Sequence, residues 1–417
     1  MRILFLTNFY PPYARGGEEY SCQQAAEGLR RRGHEIYVLT STHGTGNGLV
    51  EEETISRSLF LEMELLPWRN SLMLLTRRKA REAHNLQRFR QVFDTFRPDL
   101  VFVWGMWNLQ HSLPQLAEEL CPERVVYRFA TYWPTLPSQY TEYWLAPGRT
   151  RVTRILRRLI RPLALAFAPH DENNPPIQFR HMICVSEAVK EQLLTKGIDA
   201  SQARVIYTGL DTLQYGHGGG SNGSQPGGSR LRLLYSGRLA ADKGVHTLIQ
   251  AMHDLVNRPM LVGQISLTLA GSGDVEYESK LHAMVSQLAL SEHITFLGQI
   301  PYAEMSALYS DYDVLVVPSI WPEPFARTVL EGMASGLAVV ATAEGGTGEI
   351  LRDGHNGLLF RAGDASDLAN RIVMLYEEPG KRDALAAAAR QTISRDFGEQ
   401  HMLDQMESCL VGIVNWS

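Results

Sequence analysis

The chain reads as an α/β protein built from two doubly wound, Rossmann-like domains. Three observations predict this. Apolar runs of strand length recur with helical stretches between them. The rhythm stops once, at a segment made almost entirely of Gly, Ser, Asn, Gln and Pro (216–229, GHGGGSNGSQPGGS), and then restarts. Finally, 417 residues with 44% hydrophobic and 20% charged side chains suffice for more than one core.

The first element, 2–7 (RILFLT), is almost continuously apolar, the pattern of a parallel strand covered on both faces. A Pro/Gly loop, a helix over 18–32 and a strand over 35–40 complete a βαβ unit. Further strands are expected at 100–104, 125–129, 182–185 and 205–207. The glycine- and serine-rich composition cannot pack and behaves as flexible coil. It places a junction at 211–230 between an N-terminal domain (1–210) and a C-terminal one (231–396). Beyond it, strands are expected at 231–236, 265–269, 294–297, 314–318 and 337–342, with helices near 245–255 and 275–288. Such domains bind ligands beyond the carboxyl ends of their strands, so two facing each other would enclose a cleft.

A formal charge of −5 argues against general nucleic-acid binding, which needs a concentrated cationic surface. Cys22, Cys121, Cys184 and Cys409 lie far apart with no CxxC pair, which suggests neither a zinc knuckle nor a disulfide framework and fits a reducing cytosol. The apolar start gives way to Pro11 and Pro12 too soon for a signal peptide, and no other stretch reaches spanning length. The expectation is a cytoplasmic protein without a transmembrane segment.

The most informative segment is 318–336, PSIWPEPFARTVLEGMASG. Pro322 and Pro324 flank Glu323 and suppress helix there, and the pattern from Ala326 to Ala334 reads as a helix starting at that turn. The amides of its first turn and the helix dipole favour an anionic ligand, while Glu331 projects from the helix as a hydroxyl acceptor. Two carboxylates could then hold two polyols, a sugar and a ribose. The bland alternative is a carboxylate stabilising a helix N-terminus and a solvated Glu one face later.

A second motif, Gly237-Arg238-Leu239 followed by Asp242-Lys243-Gly244, lies between an apolar strand and a helix. It puts two cations and glycine backbone at a strand's carboxyl end, suited to a diphosphate. Otherwise Arg238 and Lys243 merely solvate a turn. Gly271-Ser272-Gly273 follows another strand and on its own makes only a tight turn. Gly345-Gly346 follows the strand at 337–342. Gly16-Gly17, between the first strand's loop and a helix, permits close backbone approach to a phosphate, or is a plain flexible loop.

Together these segments resemble the retaining glycosyltransferases of the GT-B fold, specifically glycosyltransferase family 4 (glycosyl transferases group 1), over essentially the whole chain. The resemblance rests on the Glu-Pro-Phe turn at Glu323 with the second Glu at 331, the Gly-Arg-Leu and Asp-Lys-Gly loop, the Gly-x-Gly at Gly271 and Gly273, the Gly-Gly-x-x-Glu loop at Gly345 and Gly346, and the Gly-Gly at 16–17. It implies that Glu323 contacts donor-sugar hydroxyls and Glu331 the ribose. The backbone around Phe325, Ala326, Arg327 and Thr328 would contact sugar and phosphate, as would Gly237, Gly345 and Gly346. Arg238 and Lys243 would neutralise the departing nucleotide. Arg238, Lys243 and Glu323 are thus the expected catalytic residues. No metal and no cofactor are expected, the nucleotide diphosphate sugar being a substrate. The donor would lie on the C-terminal domain and the acceptor, a glycan, lipid or small metabolite, on the N-terminal one, with domain closure joining them. The segment 397–417 would be the helix that crosses back to the N-terminal domain.

Two departures are visible. Ala326 stands where the family usually has Gly. In Arg128-Phe129-Ala130-Thr131-Tyr132-Trp133-Pro134, Ala130 and Thr131 take the places of a His-Asp pair whose His touches the donor sugar. Thr131, Tyr132 and His111 are polar neighbours that could substitute or simply line and pack. The departure motivates an alternative function, a nucleotide-sugar-binding protein without transfer activity, and an epimerase or hydrolase on the same scaffold also stays open.

Six arginines between 149 and 161 (Arg149, Arg151, Arg154, Arg157, Arg158 and Arg161) alternate with apolar residues at helical spacing. The segment 149–168 is either a peripheral contact with anionic membrane at the inner face, or a docked helix whose arginines are solvated or line an anionic acceptor site.

Overall fold

A computed structural model describes residues 1–46, 48–63, 70–146, 148, 151–166, 176–215 and 230–416. The chain divides into two compact units. One comprises Met1–Val185, Val189–Ile206 and Leu403–Ser417, the other Ser186–Ala188 and Tyr207–Met402.

The first unit contains β1 (Arg2–Leu6), α1 (Gly17–Arg31), β2 (Glu35–Ser41), β3 (Val50–Glu51), β4 (Ile55–Leu59), α2 (Asn70–Phe96), β5 (Leu100–Val103), α3 (Ser112–Leu120), β6 (Val125–Phe129), α4 (Gln139–Leu145), α5 (Arg151–Ala166), β7 (His181–Cys184), α6 (Glu187–Thr195) and β8 (Arg204–Val205). The strands form one sheet in the order β3-β4-β2-β1-β5-β6-β7-β8, parallel except at the β3–β4 edge. The central strands are apolar on both faces because helices cover both: β1 from Ile3 to Leu6 and all of β5 are fully buried.

The second unit holds β9 (Leu231–Ser236), α7 (Val245–Val256), β10 (Ile265–Ala270), α8 (Val275–Gln287), β11 (Ile294–Gly298), α9 (Met305–Ser310), β12 (Val314–Val317), α10 (Arg327–Ser335), β13 (Ala338–Thr342), α11 (Thr347–Ile350), β14 (Leu358–Phe360), α12 (Ala365–Glu377) and α13 (Pro379–Asp396). Its six strands are ordered β11-β10-β9-β12-β13-β14 and all pair in parallel. The sheet has a core on each face. Leu233, Val245, Leu248, Leu267 and Val316 pack on one side, and Leu234, Leu315, Val329, Leu330 and Ala341 on the other.

The expected strands form with ends shifted by a few residues, and both sheets are doubly wound. The division of the chain differs from the expectation. It passes into the second unit at Tyr207, ahead of 211–230, and the coil segment 216–229 lies outside the described residues. The last helix, α14 (Glu399–Trp416), starts in the second unit and from Leu403 onward groups with the first. Leu403 lies so close to Gly28 of α1 that a β-carbon there would strike it. Arg32 reaches Asp404 and Glu407 at 2.8 Å each, and His34 reaches Glu407 at 2.9 Å. The sequence reading did not place β3, β4, β14 or the 27-residue α2.

Candidate functional site

In each sheet the order of strands reverses direction once, between β1 and β5 in the first unit and between β9 and β12 in the second. The chain leaves such neighbouring strands towards opposite faces, which opens a crevice beyond their carboxyl ends. In the second unit the residues leaving β9 are Gly237 to Gly244 and those leaving β12 are Pro318 to Ala326. The topology therefore brings the two most informative sequence motifs to one place.

The joining is direct. The Lys243 ammonium donates to Glu323 Oε1 at 2.5 Å, and Ser319 Oγ donates to the same oxygen at 2.6 Å. Both members of the pair are largely buried. The amides of Ile320 and Trp321 donate to the Asp242 carbonyl at 2.9 and 3.1 Å, so the loop after β12 is laced to the turn carrying Lys243. Arg238 sits at the rim, its guanidinium mostly exposed and paired with Asp242 at 2.9 Å. Ser319 escaped the sequence reading. Its one signal is position, two residues beyond the end of β12.

The glycines flanking this cluster are required by close packing of backbone on backbone. A β-carbon on Gly345 (φ 61°) would strike the carbonyl of Glu323, and one on Gly271 (φ 142°) the carbonyl of Gly237. The Gly346 amide donates to the Glu323 carbonyl at 2.7 Å, and the Leu239 amide to that of Ser272, beside Gly273, at 3.0 Å. These loops thus hold Glu323 and the Gly237 turn in place.

Glu331 is not the solvated carboxylate of the bland alternative. It is buried, with Oε1 accepting from Arg327 Nε at 3.0 Å and Oε2 from the Tyr309 hydroxyl at 3.0 Å. Arg327, expected to serve through its backbone, instead turns its guanidinium inward and also donates to the Tyr302 hydroxyl at 2.5 Å. Burial works against that cation, but the Glu331 carboxylate and the Tyr302 and Tyr215 hydroxyls outweigh it and hold its pKa above the usual arginine value. The i,i+4 spacing of Arg327 and Glu331 carried this signal. Tyr302 and Tyr309 arrive from other elements and had none. A carboxylate offers about four lone-pair directions, so Glu331 retains accepting capacity.

Phe325 stacks on Tyr207 with ring centroids 5.4 Å apart and lies 5.8 Å from Phe397, so its side chain anchors the turn. Ala326 precedes α10 with φ −77° and ψ 89°, a conformation open to any L-residue, and its methyl is buried. Its departure from glycine therefore distorts no backbone. Thr328 lies in the first turn of α10.

In the first unit, Gly16 precedes α1 and Gly17 opens it, and the Gly16 amide donates to Glu19 Oε2 at 2.8 Å. Buried Arg57 donates to the carbonyls of Tyr10 and Pro11 at 3.0 and 2.6 Å and so fixes the preceding loop. Next to the two glycines is a group the sequence reading missed. Glu18 has a buried Oε1 with no hydrogen-bond partner, and burial, then the neighbouring Glu19, push its pKa to about 8 against the opposing pull of Arg128. Ala130 and Thr131 follow β6; beside them Tyr132 is buried, and the His111 ring packs on Trp133 at 5.4 Å. Among the described residues, no group of three or more His, Cys, Asp or Glu is placed to hold a metal ion.

Two family models account for most of the chain: Glycosyltransferase Family 4 over residues 15–214 and Glycosyl transferases group 1 over 223–392. An uncharacterized glycosyltransferase of Methanocaldococcus jannaschii is 24% identical over 95% of this chain and 94% of its own length. The spore coat protein SA of Bacillus subtilis is 28% identical over 54% of this chain, and the match spans only 63% of that relative. Among solved structures, sucrose-phosphate synthase of Thermosynechococcus elongatus superposes with a TM-score of 0.72 at 20% identity over all of both chains. Anabaena HepE, in complex with UDP and glucose, gives 0.69 at 24% identity over 99% of each. With both halves matched and both sheets of the GT-B type, the chain belongs to the group 1 glycosyltransferases of family 4 and is a glycosyl-transferring enzyme.

Proposed function

We propose that the chain is a retaining, metal-independent glycosyltransferase that takes its sugar from a nucleotide diphosphate donor held beyond the carboxyl ends of β9 and β12. The Lys243–Glu323 pair at that switch point carries the reading. A nucleotide diphosphate sugar presents a diphosphate next to a polyol, and the pair presents a cation next to a carboxylate. Without ligand the two neutralise each other. With donor bound, Lys243 turns its charge to the diphosphate and Glu323 accepts from sugar hydroxyls. Arg238, exposed at the rim, adds the second cation. The amides of Phe325 to Thr328, at the head of α10, supply neutral donors to phosphate and sugar, and the tight turns at Gly237, Gly271, Gly273, Gly345 and Gly346 let backbone approach the ligand closely. Glu331 takes the ribose through its remaining lone pairs. Gly16 and Gly17 keep the phosphate-approach role implied by the family resemblance. The HepE complex with UDP and glucose supports a donor of this class.

Two side-chain cations on the leaving group are sufficient to stabilise its charge, which supports metal independence. Retention rests on the family resemblance, with the departing phosphate assisting deprotonation of the acceptor on the same face. The acceptor, a glycan, lipid or small metabolite, is assigned to the first unit. Four dispersed free cysteines favour a reducing cytoplasm, and no described helix is long and apolar enough to cross a membrane.

Incubation with a panel of nucleotide diphosphate sugars and candidate acceptors, with and without chelator, tests this reading. A product whose anomeric proton shows the donor's configuration, formed equally with chelator, is expected. An inverted product, or one lost with chelator, contradicts it. Ala130 and Thr131 favour a second reading, a binder without transfer. Tight donor binding with no nucleotide diphosphate released would establish that alternative.

A further inference from the structure

We infer that α5 is a membrane-docking surface, lying in the headgroup region of an anionic bilayer with its outer face inserted. At about 100° per residue, Val152, Ile155, Leu156, Leu159 and Leu163 fall within an arc of about 100° along one side of the helix. All five are exposed, Leu159 at 74% and Val152 at 72%. Scattered exposed leucines need no explanation, but a continuous stripe of them does.

The helix is not simply turned the wrong way. Its opposite side is docked: Ala164 is fully buried against Tyr140, Trp144 and Met63, with Ile160 and Leu165 packed beside them. The Tyr140 hydroxyl donates to the Ala164 carbonyl at 3.0 Å. Arg157 donates to the carbonyls of Tyr143 and Ala146 at 3.3 and 3.2 Å and lies 4.1 Å from the centre of the Tyr143 ring. Arg161 donates to the carbonyls of Trp144 and Leu145 at 3.0 and 3.1 Å. These two arginines cap the carboxyl end of α4 and fix the orientation of α5, so neither is offered to an anionic acceptor. The stripe is therefore held outward by the packing of the inner face.

Charge selects the occupant. Arg158 is exposed and lies about 60° beyond the edge of the stripe, Arg154 is exposed farther round the helix, and α5 contains no acidic residue. An apolar stripe bordered by the Arg158 cation, on a helix without acidic residues, matches the boundary between lipid phosphates and acyl chains. A second copy would set Arg154 and Arg158 against the same cationic helix, which a self-complementary interface does not favour. The contact is peripheral, because α5 is too short and too charged to span.

The test is co-sedimentation of the full chain with vesicles of phosphatidylcholine alone and with about one third phosphatidylglycerol, at low and moderate salt. Binding is expected to the anionic vesicles, more than about tenfold weaker to the neutral ones. Ile155→Glu with Leu159→Glu should abolish it. Arg154→Glu with Arg158→Glu should remove the anionic preference. All four side chains are exposed, so the variants should keep the wild-type circular dichroism. Three results would overturn the proposal: no binding to anionic vesicles, undiminished binding by Ile155→Glu/Leu159→Glu, or self-association in lipid-free buffer that this double variant abolishes. None depends on donor turnover, so this proposal and the donor-site reading fail separately.

Discussion

The two units handle buried carboxyl groups in opposite ways. In the second, Glu323 and Glu331 each face a cation, Lys243 at 2.5 Å and Arg327 at 3.0 Å, and each is steadied by a hydroxyl. In the first, burial prevails at Glu18 and Glu62, even with the Tyr140 backbone and the Ser138 hydroxyl bonded to Glu62. Burial raises Glu18 to about 8 and Glu62 to about 7, although Arg128 and Arg78 oppose it. Arg78 stands 3.7 Å from Glu62, too far for a good hydrogen bond. Carboxylates paired with cations therefore sit in one unit, and carboxyl groups raised by burial in the other. Under the proposed reading the Lys243–Glu323 pair serves the donor, and the raised carboxyl groups should make the first unit sensitive to pH.

The largest expected effect separates activity from stability within the pairs. Lys243→Ala and Glu323→Ala should each lower kcat by about 10²–10³-fold, the scale for removing one stabilising group from a developing charge. Their unfolding midpoints should move less than that of Arg327→Leu, because the Lys243–Glu323 pair is the more exposed of the two and Ser319 still donates to Glu323 when Lys243 is removed. Arg327→Leu should do the reverse first. It leaves the Glu331 carboxylate buried and unpaired, at a cost of about 3 kcal/mol read from urea unfolding. Equal effects of Lys243→Ala and Arg327→Leu on both readouts would erase the distinction between a working pair and a structural one.

Next in size is Gly345→Ala, which places a methyl against the Glu323 carbonyl at a positive φ. A loss of more than about 1 kcal/mol together with reduced turnover is expected, because the loop that moves carries Glu323, the carboxylate proposed to meet the donor sugar.

The pH response sharpens the contrast between units. A carboxyl whose folded pKa lies above its unfolded value of 4.5 binds its proton more tightly when folded. The stability it contributes is complete below about pH 4.5 and is lost as pH rises through 7 and 8. Amide hydrogen exchange resolved by unit should show the first unit weakening across this window by on the order of 2 kcal/mol, with Glu18→Gln removing part of the slope. The smallest effect is that of Arg238→Ala on stability. Its exposed pair with Asp242 is worth under about 1 kcal/mol, so any loss of turnover in this variant reports on ligand rather than fold.

The same contrast explains what could be read in the sequence. The parallel strands were legible because burial on both faces leaves an almost unbroken apolar run, as at β1 and β12. The Glu323 turn and the Lys243 loop were legible because each is a local pattern of proline, glycine and charge. Their meeting follows from the β9–β12 adjacency. The environment of Glu331 was not legible, since it depends on Tyr309 and Tyr302 delivered from α9 and the turn before it. Glu18 was hidden for a related reason. In sequence it is one of two acidic residues after a Gly-Gly pair, and only the fold brings it beside Arg128 of β6 and Gly105 after β5. The two-residue strands β3 and β8 are too short to carry a period.

The most direct test of the central claim is calorimetric titration of uridine, guanosine, adenosine and thymidine diphosphates and their sugars into the wild-type protein, Lys243→Ala and Glu323→Ala. The account predicts selective binding by the wild type. Lys243→Ala should lose affinity for diphosphate and diphosphate sugar alike, and Glu323→Ala should lose only the gain that the sugar adds. Affinities for every ligand that are unchanged in both folded variants would contradict the placement of the donor at this pair.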